Sequence, residues 1–161
     1  MYRTKLLSLA FLCGCPGPKD TGNDTGDTGD TGNVEVSNQG PQGLASGEND
    51  CGPADGEMTT FHVNLSEDTC GAEPDPNWNV KLGVLGTVES GTVYDLDSGL
   101  WIAQFNYEGE HIATVGQVVL EFEGEWEDGI NFTGSYVLDG DFDLIEGEFS
   151  GQFCEIEKFC G

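Results

Sequence analysis

Basic side chains are scarce in this chain. It carries 5 Lys and Arg residues against 30 Asp and Glu, for a formal charge of −25 at pH 7. Such a surface repels phosphate backbones and anionic headgroups, which excludes nucleic acids and acidic lipid as partners. There are 2 histidines, His62 and His111. With no Gly-x-Ser-x-Gly elbow, nucleophilic catalysis has little to draw on. No Cys-x-x-Cys pair occurs, so a zinc site has no framework. No glycine cluster joins a strand to a helix, so a phosphate cradle is missing too. No segment holds a helical period over three turns. The apolar run at residues 6–12 is too short to cross a bilayer, which takes about 20 residues.

That short run is informative by its position. Arg3 and Lys5 precede it, and Leu12-Cys13-Gly14-Cys15 follows. A basic start, an apolar stretch and a small residue before a cut site describe a secretory signal peptide over 1–14. The last four residues resemble a bacterial lipobox, with an aliphatic residue at −3 and a small one at −1. In that family the cysteine, here Cys15, receives the lipid and begins the mature chain. Removing the leader takes away Arg3 and Lys5 and leaves a formal charge of −27. Charge this lopsided strains a compact state by self-repulsion.

Of the 6 cysteines, Cys13 leaves with the leader and Cys15 is the lipidation site. Cys51, Cys70, Cys154 and Cys160 remain, an even set in an exported chain, and predict two disulfides. Three connectivities satisfy the set. Cys51–Cys70 with Cys154–Cys160 closes local loops, whereas a crossed pattern staples the first segment of the domain to its last strand.

Residues 15–50 read as a disordered tether. Asp-Thr-Gly recurs at residues 20–22, 24–26, 27–29 and 30–32, and no apolar residue occurs from Lys19 to Asn33. Nothing there can offset chain entropy. As a flexible coil the tether reaches about 30–35 Å.

From Cys51 to Gly161 the pattern is period-two alternation between Gly and Asp turns. Phe61, Val63 and Leu65 share a face. So do Trp78, Val80, Leu82 and Val84, then Trp101, Ala103, Phe105 and Tyr107. Val118, Leu120 and Phe122 follow, then Ile130, Phe132, Tyr136 and Leu138. Asp128-Gly129 and Asp139-Gly140 supply turn chemistry. The phase slips by one residue at Leu144-Ile145, which predicts a β-bulge. The fold expected is all-β: an antiparallel meander of about seven or eight strands, forming a sandwich or a small barrel.

Asp-Thr-Gly is also the catalytic tripeptide of aspartic proteases, but there it lies on buried loops between apolar strands. Here it reads as spacer. Asp139, Asp141 and Asp143 have an i, i+2, i+4 spacing that could face one calcium ion. The EF-hand pattern then fails, because Leu144 and Ser150 stand where Gly and Glu are required. A solvated turn is the reading of choice, with calcium as the alternative cofactor and no other cofactor implied. Trp78 and Trp101 sit in inward alternations. Trp126, in the acidic turn Glu123 to Asp128, is the tryptophan whose surroundings argue for exposure and ligand contact.

The layout resembles a group of small lipoproteins of Gram-negative bacteria. They carry a lipobox, an Asp-Thr-Gly-rich spacer and a β domain ending in a Gly-x-Phe-x-Gly-x-Phe-Cys strand, here Gly147 to Cys154. The resemblance implies export and lipid anchoring in the cell envelope. Pro16, in place of the aspartate that retains such proteins at the inner membrane, points to the outer membrane. The function expected is a non-enzymatic binding or structural β module, with the membrane as partner through the lipid and a cationic or carbohydrate ligand. Two alternatives are a small carboxylate-dependent hydrolase of polysaccharide or peptide and a calcium-dependent adhesin.

Overall fold

The computed structural model describes residues 38–158. The leader at 1–14, Cys15, the tether as far as residue 37, and Cys160 lie outside the described residues.

The described chain is all-β. Ten strands share one sheet: β1 (Asn38–Gln39), β2 (Gly43–Cys51), β3 (Glu57–Val63), β4 (Asn79–Leu85), β5 (Val93–Asp95), β6 (Leu100–Asn106), β7 (Glu110–Ile112), β8 (Val115–Phe122), β9 (Asn131–Asp139) and β10 (Ile145–Cys154). Their order is β5-β8-β9-β10-β2-β3-β4-β6-β7, with β1 also beside β10.

The sheet corrects the expected meander. The first two strands both run parallel to the last, with Asn38 opposite Ile145 and Phe149 opposite Gly43. Nor does hydrogen bonding close the sheet into a barrel, since the order ends on β5 and β7. The chain itself joins the two arms. Between β7 and β8, the Ala113 N–H donates to Ala103 O at 2.9 Å, and the Thr114 N–H donates to Asp139 O at 2.8 Å.

The expected tether boundary also moves. Residues 38–50 were assigned to the spacer, yet β2 is an interior strand, parallel to β10 and antiparallel to β3. Main-chain pairing on both sides replaces apolar alternation as its reason for being there. Gly47 is bare because neighbouring rings fill the space. A Cβ on Gly47 would stand 3.1 Å from Phe61 and 3.3 Å from Phe132.

The core lies on the inner face, where Phe61, Val63, Leu82, Val118, Leu120, Phe132, Leu138 and Phe149 are buried. Phe61 meets Phe132 edge-on at 5.3 Å, a favoured aromatic geometry. The terminal strand uses its small and large residues in turn. Gly147 lets Tyr136 and the Pro41 carbonyl approach; Gly151 lies so close to the Ala45 main chain that no Cβ fits. The Tyr136 hydroxyl donates to Pro41 O at 2.7 Å in the interior.

Cys70 and Cys154 form a disulfide with Cα atoms 5.7 Å apart. This excludes the local pattern and ties the β3–β4 loop to the last strand. Cys51 is disulfide-bonded as well.

Two irregularities differ from expectation. No bulge occurs at Leu144-Ile145: β9 and β10 pair in continuous register from Leu138–Ile145 onward, and the slip in phase is absorbed by the loop at 140–144. The bulge lies in β6, where Gly83 faces Ile102 but Val84 faces Leu100. Trp101 is the extra residue.

Candidate functional site

Two of the three tryptophans exchange their expected roles. Trp101, read as inward, is 57% exposed, because the bulge takes it off the inner row. Trp126, read as an exposed ligand contact, is half-buried and packs against the core. Its ring lies 4.8 Å from Phe153 and 4.9 Å from Phe122. The loop at 123–130 folds back because Phe153 bonds its last two residues, its N–H donating to Ile130 O at 2.9 Å and its carbonyl accepting from the Gly129 N–H at 2.9 Å. The acids of that loop stay in water while the indole tucks beneath them. Trp78 packs edge-on against Phe105 at 5.2 Å, as its alternation predicts.

Asp139, Asp141 and Asp143 are not brought together. No group of three or more potential ligands assembles among the described residues. Asp141 instead faces His111, with Oδ1 3.2 Å from Nδ1. The other ring nitrogen, Nε2, lies 3.1 Å from the Tyr107 carbonyl. Asp95 closes its own turn by accepting from the Asp97 N–H at 3.0 Å and Ser98 Oγ at 2.8 Å.

The outer face of the sheet divides into two regions. Over β2, β3 and β4 lie Ser46, Glu48, Asp50, Met58, Thr60, His62 and Lys81, by strand register. Burial alone would raise the Asp50 carboxyl. The Cys51 N–H at 2.8 Å, the Lys158 ammonium at 3.2 Å and the Thr60 hydroxyl at 3.1 Å outweigh it and hold Asp50 below the ordinary carboxylate value. His62 is pushed below its ordinary value by burial, with Lys81 and Lys158 adding to the effect and Glu48 and Asp50 opposing it. Burial also drives the Tyr136 phenol well above its usual range.

Across β8, β9 and β10 the outer face is bare. A groove of about 450 Å³ crosses these strands, lined by Val119, Glu121, Thr133, Ser135, Glu148 and Ser150, among others. It continues past Glu121, Thr133 and Ser150 into a recess of about 600 Å³ that adds Asp68, Glu123 and Asn131. Among the described residues, no basic side chain lines either part. Sequence reasoning missed this face. Its hydroxyl and glycine residues form no motif, and the available signal was the polar half of the alternation in β8, β9 and β10. The chain matches no family model, no curated protein and no solved structure.

Proposed function

We propose that this protein is a lipid-anchored lipoprotein of the cell envelope, held at the outer membrane through Cys15. Its β domain serves as a non-enzymatic binding module. The observation that carries the reading is the uncovered, cation-free face of β8, β9 and β10 on a disulfide-stapled sheet, downstream of the lipobox. A rigid body with one open face suits binding. The sheet's arms, joined at Ala113 and Thr114, pack as a sandwich around the aromatic core. A multiply acylated cysteine would hold the chain firmly, and the spacer at 16–37 would stand the domain off the surface.

Export agrees with the Cys70–Cys154 bridge, which suits an oxidising compartment. Calcium adhesion lacks a convergent set of carboxylates among the described residues.

The anchor is tested by fractionation. Wild-type protein is expected in the membrane pellet and Cys15→Ser in the soluble fraction. A Cys15→Ser chain that still pellets disproves the anchor.

A further inference from the structure

We propose that the bare outer face of β8, β9 and β10 docks an extended cationic peptide segment, with Glu121 and Glu148 as its two charge anchors. This rests on the binding-module reading and adds the chemistry of the partner.

The register fixes the geometry. Glu121 faces Thr133, and Thr133 faces Ser150; Val119 faces Ser135, and Ser135 faces Glu148. Glu121 and Glu148 therefore stand two strands apart and two residues out of step. Their Cα positions are about 12 Å apart. Side chains at i and i+4 of an extended peptide project about 13 Å apart on one side. Two lysines at that spacing reach both carboxylates together. Between the acids the floor is low and capable of hydrogen bonding, made of Thr133, Ser135, Ser150 and Val119, with Gly43 opening one end. Nothing lies within 4 Å of where a Gly43 Cβ would be.

Charge decides the occupant. Among the described residues, the groove and its continuation hold Glu121, Glu148, Asp68 and Glu123 and no basic side chain. The segment at 16–37 is rejected as a self-ligand, since it carries Asp20, Asp24, Asp27, Asp30 and Glu35 against Lys19 alone. A second copy, at −25, is rejected for the same reason. A carbohydrate would call for an aromatic stacking platform. The exposed Trp101 stands on β6, and Trp126 is packed into the core. Exposed apolar residues extend the face at Val93, Val115 and Val137. They suit a segment that alternates lysine with threonine or valine.

The test uses the full chain carrying Cys15→Ser, so that the titration is independent of whether the anchor assignment holds. The probe is a capped, extended heptapeptide with lysines four positions apart and threonine and valine between them. Calorimetry at low salt is expected to detect binding that weakens about tenfold or more at 300 mM NaCl. The double variant Glu121→Gln/Glu148→Gln should weaken it about tenfold. The control pair Glu108→Gln/Glu110→Gln, on the remote β6–β7 turn, should change it less than about twofold. Four outcomes would overturn the proposal: no binding, equal loss in the control pair, equal binding of the acetyl-lysine peptide, or preferential binding of a neutral oligosaccharide. Membrane release of Cys15→Ser scores the anchor separately.

Discussion

One sheet carries two outer faces, and they are covered in the reverse of the usual order. Over β2 and β3, Ser46, Thr60 and Met58 are 2%, 1% and 5% exposed, among Asp50, His62 and Lys81. Over β5, β8 and β9, Val93, Val115 and Val137 are 51%, 61% and 39% exposed. Hydrophobicity alone would cover the valines. The cover is instead placed by covalent and polar ties. Cys70–Cys154 holds the β3–β4 loop beside Ser46. Asn49 exchanges bonds of 2.6 Å with the main chain of Ile156, and Lys158 reaches Asp50. Burial on this sheet thus follows connectivity first and side-chain polarity second. The valines left in water lie on the face proposed above as the docking surface.

The comparison breaks most severely at the seam between the halves. Gly151→Ala would press a methyl group into the Ala45 main chain and separate β10 from β2. A loss of about 3 kcal/mol, and a Tm lower by about 10 °C, is expected. On the bare side, Ser150→Ala should stay within about 0.5 kcal/mol of wild type. Equal melting of the two variants would show that the seam is not tight.

Tyr136→Phe comes next. It strands the buried Pro41 carbonyl, at a cost of about 1–3 kcal/mol by chemical denaturation. A variant as stable as wild type would mean that the carbonyl finds another donor.

The smallest effect sharpens the covered side. His62 has a folded-state pKa below its ordinary 6.5. The unfolded chain therefore binds the proton first, so this contribution is full above pH 6.5 and declines as pH falls below it. Asp50, also depressed, adds stability that is lost only in stronger acid. Between pH 7 and pH 5.5, wild type should lose more stability than His62→Asn does. Parallel pH profiles would remove His62 from the account.

Much of the fold was legible where apolar residues alternate over a full strand, as in β3, β4, β8 and β9. The exceptions share a cause: the partner, not the segment, decides. β2 reads GLASGENDC and has almost no apolar side chain to declare it. It is a strand because β10 and β3 present unpaired edges to it and because Phe61 and Phe132 need its Gly47. Trp101 follows its own alternation until a bulge against Gly83 and Val84 displaces it. The acids around Trp126 described their own exposure, not that of the indole. The cysteines announced bridges, while which thiol met which depended on the loop between β3 and β4. The groove was hidden for a further reason. Serine, threonine and glutamate on the polar side of a strand look alike whether they line a site or merely meet water.

The parallel pairing of β2 with β10 sets an order of assembly. A chain emerging from the ribosome exposes Gly43–Cys51 early and can zip it onto Glu57–Val63. Its other flank belongs to residues 149–154, in the last of the described strands. The middle of the sheet stays open until β10 arrives. Losing the final segment would therefore cost the centre of the sheet, and not one of its margins.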